Sequence, residues 1–209
     1  MVVFLTGSNG GIGSAVSRLL KAENIKVIEP SSSELNLNDS LNVTKEPIDG
    51  FIHCAGINIL AKHSEVNQED LYKLFEINTF SFVKLCGKLN FAKGSNILGI
   101  GSLYSTLTKE NRIQYAMSKH AMYGAVKTLA LEMAENNIKV NLISPGFVDT
   151  NLTRKNNTKE RIDFLQNNIP LGLTTPEEIA KICLYFVRGN KFITGQNIIV
   201  DGGYSLRNL

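Results

Sequence analysis

Tyr115 and Lys119 stand four residues apart in Tyr115-Ala116-Met117-Ser118-Lys119, the spacing that brings two side chains to one face of a helix. A free phenol titrates near 10 and is a poor proton donor or acceptor at neutral pH. An ammonium fixed a few ångströms away favours the phenolate and moves the group toward the working range. The pair therefore reads as a general acid/base with its electrostatic partner. Ser102 lies thirteen residues before Tyr115 and just past an apolar run, where open α/β sheets bind ligands. Its hydroxyl could hold a carbonyl oxygen and stabilise the alkoxide that hydride transfer generates. Each residue alone has an ordinary explanation, because solvated helices often carry Tyr and Lys at this spacing and strand ends often carry Ser. Their order with a glycine turn along one chain points to chemistry.

The elements that must position these side chains alternate short apolar runs with helical periodicity, the pattern of an α/β fold around a doubly wound parallel sheet. The strand candidates are Val2–Leu5, Lys26–Glu29, Gly50–Cys54, Asn96–Ile100, Lys139–Ile143 and Asn197–Val200. Most are continuously apolar, as strands buried on both faces should be. Helices are expected over Ile12–Ala22, Gln68–Lys88 and Gln114–Asn136. Thr175-Pro176-Glu177-Glu178 reads as a cap with proline at the first helical position, opening a helix to about Val187. Between the first strand and first helix runs Thr6-Gly7-Ser8-Asn9-Gly10-Gly11-Ile12-Gly13. Glycines there let backbone approach a pyrophosphate, and the helix beyond offers free N–H groups and positive partial charge. A purely steric need for glycine at a strand-to-helix turn explains the cluster too, so it carries weight only in company.

Bulk properties narrow the function classes. The 209 residues are 43% hydrophobic and 20% charged, ordinary for one globular domain over 1–209 with a full core. No apolar run approaches the roughly 18 residues of a membrane span. The apolar start runs straight into the glycine turn, which reads as a first strand and not as a signal peptide. Cys54, Cys86 and Cys183 are scattered without metal-ligand spacing, and His53, His63 and His120 lack second ligands, so no metal is expected. Reduced core cysteines suit a cytoplasmic protein. A net charge of +3 without a basic run argues against a nucleic-acid partner.

With these motifs in register the chain resembles a short-chain dehydrogenase/reductase of the compact, 3-oxoacyl-reductase-like branch, over nearly its whole length. The turn matches that branch's TGxxxGxG form through Thr6, Gly7, Gly11 and Gly13. Cys54-Ala55-Gly56 resembles the tail of the family's NNAG motif, with His53 and Cys54 in place of asparagines. Val140-Asn141-Leu142-Ile143-Ser144-Pro145-Gly146 resembles its PG motif, and the close from Ile193 to Ser205 resembles its usual ending. The resemblance implies a catalytic set of Ser102, Tyr115 and Lys119, with Asn78 supporting a proton-relay water. It implies that Lys119 also bonds the nicotinamide ribose. The dinucleotide would be held by Gly7, Ser8, Asn9, Gly11, Ile12 and Gly13 and by Cys54, Ala55 and Gly56. Its nicotinamide carboxamide would meet Pro145, Gly146, Val148 and Thr150.

The second strand end decides the cofactor. NAD-selective folds place an acid there for the ribose 2′-OH. The matching position is Ser31; Glu29 comes two residues early and is expected to point elsewhere. Hydroxyls at Ser31 and Ser32 leave room for a 2′-phosphate, so the sequence leans to NADP over NAD, although Gly10 and the lack of a following basic residue argue the other way. The crossover helix that normally follows is reduced to a loop through Leu35-Asn36-Leu37-Asn38-Asp39, with Asn36 and Leu37 at adenine-contacting positions. That shortening exposes the adenine side, leaves the second strand less buried and weakens any transfer of fatty-acid-synthesis function.

Asn151–Gly172 matches the family's mobile substrate lid. Arg154, Lys155, Lys159 and Arg161 give it a positive bias that suits an anionic small-molecule carbonyl or alcohol, and equally a solvated loop. The long helices match the surfaces by which relatives form dimers and tetramers, so a homodimer or homotetramer is expected. Besides an oxidoreductase acting on a CH–OH or C=O group, two readings compete. A nucleotide-sugar epimerase or dehydratase resembles longer chains with a second domain, and a dinucleotide sensor or scaffold needs no tuned phenol. Enoyl reductases of the family space tyrosine and lysine more widely.

Overall fold

Valine, isoleucine and phenylalanine crowd the short runs of this chain, and their stiff or bulky side chains fit a pleated surface better than a helix. In the computed structural model, which describes residues 1–37 and 43–207, those runs become six parallel strands. They are β1 (Val2–Thr6), β2 (Lys26–Ile28), β3 (Ile48–His53), β4 (Phe91–Ile100), β5 (Lys139–Pro145) and β6 (Asn197–Val200). The sheet order is β2-β1-β3-β4-β5-β6. Every strand of the sequence reading is present, with ends moved by a few residues. β4 starts earlier than expected because Phe91 pairs with Ile48 across a register shift in β3.

Helices α1 (Gly11–Ala22), α2 (Gln68–Phe75), α3 (Ser81–Lys88), α4 (Ile113–Glu132), α5 (Asn151–Lys155), α6 (Lys159–Asn168) and α7 (Pro176–Gly189) cover the sheet. Thr175 caps α7 by accepting from the Glu178 amide at 3.3 Å, as its sequence signature implied. Alternate strand residues feed two cores. Val3, Leu5, Ile52, Leu98 and Ile143 pack with Val16 and Leu20 of α1 and Ile179 and Phe186 of α7. Phe4, Phe51, Ile97 and Leu142 pack with Phe82 and Leu85 of α3 and Met122 and Val126 of α4. The period of two is hidden in the sequence because both faces are apolar.

Two expectations change. The single helix expected over Gln68–Lys88 is interrupted by a π turn at Glu76–Phe80, which places Asn78 in the break. The long helix expected to reach Asn136 ends at Glu132, followed by a 3₁₀ turn and Asn137 in the left-handed region. The shortened crossover is there: Pro30–Leu37 forms turns without a helix, while Asn38 and Asp39 lie outside the described residues. β2, at the sheet edge, is only partly buried, as a missing cover requires.

From β1 the chain crosses outward to β2 and then back to β3 on the other side of β1. The connections leaving β1 and β3 therefore diverge, opening a crevice beyond their carboxyl ends. The glycine turn follows β1 and Cys54-Ala55-Gly56 follows β3, so both motifs line that crevice. Among the described residues no helix is long and apolar enough to cross a membrane.

Candidate active site

The turn after β1 is built around two close approaches. Gly7 has φ +71°, and a Cβ there would lie 2.5 Å from the Ala55 amide nitrogen. A Cβ on Gly13 would lie 2.1 Å from the Gly7 carbonyl oxygen. Gly10 caps α1 without a side-chain hydrogen bond, and the first turn of the helix carries no acid. Its leading N–H groups therefore keep their positive partial charge for an anion. Gly13→Ala should show the steric demand. Alanine normally favours a helix interior by up to about 1 kcal/mol over glycine. Here the variant is expected to melt lower than wild type and to bind NADH at least about tenfold more weakly in a fluorescence titration.

Two cavities run along the crevice. The first, about 260 Å³, is walled by Gly7, Ser8, Asn9, Ser32, Asn36, Leu37 and Ala55. The second, about 140 Å³, is walled by Ile12, Cys54, Gly56, Ser102, Tyr115, Lys119, Pro145, Gly146, Val148 and Thr150. Gly11 and Gly13 serve by being small; a Cβ on Gly11 would strike Thr150 Cγ2 at 2.6 Å. A glycine turn, an uncapped helix start and two cavities lined by successive residues of the Cys54-Ala55-Gly56 loop suit a dinucleotide. A much larger concavity of about 940 Å³ lies over α2 and the start of α4, beside Phe75, Ile113 and Met117. It touches none of Ser102, Tyr115 and Lys119.

At the β2 end, Glu29 turns toward α1, accepting from Ser17 Oγ at 2.5 Å and pairing with Lys21. Ser31 is engaged in a way its sequence position did not reveal. Its amide and its hydroxyl each donate to the Glu34 carboxylate at 2.8 Å. The Ser31 amide, then its hydroxyl, hold the Glu34 carboxyl below the ordinary carboxylate range. Neither donor is open for a phosphate.

The start of α4 packs against the end of β4, and that contact assembles the catalytic candidates. The Ser102 hydroxyl accepts from the Tyr104 amide at 3.2 Å, and Ser102 walls the same two cavities as Tyr115. Lys119, 3% exposed, donates to the Ile100 carbonyl at 2.7 Å. Burial lowers its pKa to about 8, against a smaller opposing pull from Cys54. Its Nζ lies 5.8 Å from the Tyr115 ring centre. The expectation that Lys119 brings the phenol into the working range needs correction. Burial raises the Tyr115 pKa above its ordinary value, while the Ser102 hydrogen bond and then the Arg112 charge pull it back.

Asn78 does not face the cavities. Its Oδ1 accepts from the Ile57 amide at 2.8 Å, and its Nδ2 donates to the Ile57 carbonyl and to Ser118 Oγ, both at 3.0 Å. It thus ties the loop after β3 to α4. His53, in place of the family's asparagine, supports the same turn. Its Nε2 donates to the Ile77 carbonyl at 3.1 Å, so Nδ1 must accept from the Thr6 hydroxyl at 2.8 Å. Burial, with the Lys119 charge, lowers its pKa to about 3 and keeps the ring neutral.

Sequence reasoning missed Arg112. It stands three residues before Tyr115 and seven before Lys119, a helical-face spacing that could have found it. With Asn58, Tyr104, Phe147 and Asn157 it walls a small cavity of about 90 Å³ that also touches Ser102 and Tyr115. Of the four lid cations, Arg154 is held by Asp149 at 2.7 Å.

The chain matches the family described as Enoyl-(Acyl carrier protein) reductase over residues 36–205. It is 32% identical to "Carbonyl reductase family member 4" of Xenopus laevis, with 96% of each chain covered. It is 29% identical to the 3-oxoacyl-[acyl-carrier-protein] reductase of Chlamydia trachomatis, over 96% of this chain and 86% of that one. Among solved structures it superimposes on a short chain dehydrogenase family protein from Francisella tularensis with TM-score 0.84, 29% identity and 99% of each chain covered.

Proposed function

Because the chain belongs to the short-chain dehydrogenase/reductase family, we propose that it is an NAD-dependent reductase converting a small carbonyl compound to a secondary alcohol. One observation carries the reading: Tyr115, partly buried, shares with Ser102 and Lys119 the wall of a crevice shaped for a dinucleotide. A phenol whose pKa is raised stays protonated at neutral pH, the state a proton donor to a carbonyl oxygen needs. Ser102 would hold the carbonyl oxygen, Tyr115 would give it a proton, and Lys119 would bond the ribose and restore the phenol's proton supply. Bound reduced nicotinamide supplies the hydride. Asn78 acts by fixing the loop after β3 against α4.

The sequence leaned to NADP; Glu34 turns our proposal to NAD. A 2′-phosphate accepting from Ser31 would lie within about 5 Å of the Glu34 carboxylate, whereas a 2′-OH could donate to it. No Lys or Arg walls the adenosine cavity, and Asn38-Asp39-Ser40-Leu41-Asn42 contains none. Asn151–Gly172, with α5 and α6, would cover the substrate. Exposed Phe80, Val83, Met117 and Leu131 on the π turn, α3 and α4 would join copies into a homodimer or homotetramer.

The test is to follow NADH absorbance across a broad carbonyl panel and to measure both dissociation constants. Turnover is expected, with NADH binding about tenfold tighter than NADPH and Glu34→Gln closing most of that gap. A protein that binds NADH yet reduces no member of the panel would be a dinucleotide sensor instead.

A further inference from the structure

Arg112 is a cation without a counter-charge in a place where the fold does not want one. It is the N-cap residue of α4, where the helix dipole disfavours positive charge. It is 9% exposed, and its Nη1 is buried without a hydrogen-bond partner. Among the described residues no carboxylate lies within ion-pair distance of it. Its guanidinium lies over the Tyr104 ring, whose centre is 6.0 Å from Cζ. A buried guanidinium donor left unsatisfied is costly, so something outside the chain's own groups should complete it.

Its surroundings point the same way. Arg161 of α6 adds positive charge near Tyr104, Lys109 feels the charges of both Arg161 and Arg112, and the Arg161 Nε is likewise buried without a partner. Glu110 is the acid that acts on Lys109. Across the 90 Å³ cavity, Asn58 holds a buried amide oxygen without a donor. The same cavity touches Ser102 and Tyr115, so whatever pairs with Arg112 sits beside the reacting oxygen.

We propose that Arg112 anchors an anion-binding subsite, and that the substrate carries a carboxylate or phosphate on the small molecule bearing the reacting carbonyl. The inference rests on the reductase reading for its substrate and on the cavity alone for its anion. The guanidinium fork suits two oxygens of either group, with Asn58 accepting from a neighbouring hydroxyl or amine. The small volume suits a short molecule over a long acyl chain.

Two measurements test it. The NADH-saturated protein is titrated calorimetrically at low salt with acetate and with inorganic phosphate. One saturable site per chain is expected, with the tighter ion telling carboxylate from phosphate. Arg112→Gln should weaken it at least about thirtyfold, the scale of a buried charge partner removed. Arg112→Lys should fall between, and it reports the result if the Gln variant does not fold. Arg188→Gln removes one surface charge at the end of α7, outside the site's cavities, and should leave the titration unchanged. Separately, an oxo acid and a phosphorylated ketone are compared as substrates with their neutral ester or unphosphorylated counterpart. An advantage of about 100-fold in kcat/KM for one anionic form is expected. Wild type with no saturable anion site, or with one that Arg112→Gln leaves intact, overturns the subsite even if neutral carbonyls are reduced. Failure of every carbonyl with the anion site present sinks only the reductase reading.

Discussion

Tyr115→Phe is expected to lower kcat/KM for carbonyl reduction by about 10³-fold, within the range of general acid catalysis, while the NADH dissociation constant moves less than twofold. The substitution deletes one hydroxyl from a ring that otherwise keeps its edge contact with Tyr104, at 6.1 Å between centres. Ser102 keeps the Tyr104 amide as a donor at 3.2 Å, so the strand end should hold its shape. What disappears is the proton donor. An effect on turnover without one on binding marks an interaction made in the transition state. Wild-type-like kinetics in this variant would place the acid elsewhere and remove the basis for the proposed mechanism.

Replacing Lys119 should separate function from stability more sharply. Burial lowers its pKa from an ordinary 10.5 to about 8. The folded value lies below the unfolded one, so between about pH 8 and 10.5 the unfolded chain binds more protons and stability rises with pH. Below pH 8 the full cost of burying the ammonium, about 3 kcal/mol, is present. Lys119→Met removes that cost and loses one hydrogen bond, to the Ile100 carbonyl, worth about 1 kcal/mol or somewhat more. The variant is therefore expected to be about 1–2 kcal/mol more stable at pH 7 by denaturant unfolding. That gain should vanish above about pH 10. Its turnover should fall by at least about 100-fold. In wild type, kcat/KM should decline above about pH 8 as the free enzyme loses this ammonium. A less stable Met variant at pH 7 would show that the ammonium is better compensated than its surroundings suggest.

Much of the scaffold was legible in the chain. Apolar runs bounded by glycine and proline marked all six strands, and Thr175-Pro176 marked the start of α7. The shortened segment after β2 was visible as a lack of residues for a helix. The π turn at Glu76–Phe80 was not, because one extra residue in a turn leaves the apolar spacing on either side intact. Glu34 was overlooked for a related reason. The strand end carries serine at position 31, and the loop folds an acid back onto it from three residues on.

By itself, then, the sequence determined the parallel α/β scaffold, the glycine turn and the order Ser102, Tyr115, Lys119. These depend on side-chain type and on spacing within one strand, turn or helix, quantities carried by neighbouring residues. Only the tertiary structure decided the electrical state of the site. Burial, set by packing between distant segments, raises the Tyr115 phenol and lowers Lys119. Arg112 is likewise ordinary in sequence; folding buries it on the wall of the small cavity that Asn58 also lines, without a counter-charge, and that is the basis of the proposed anion subsite.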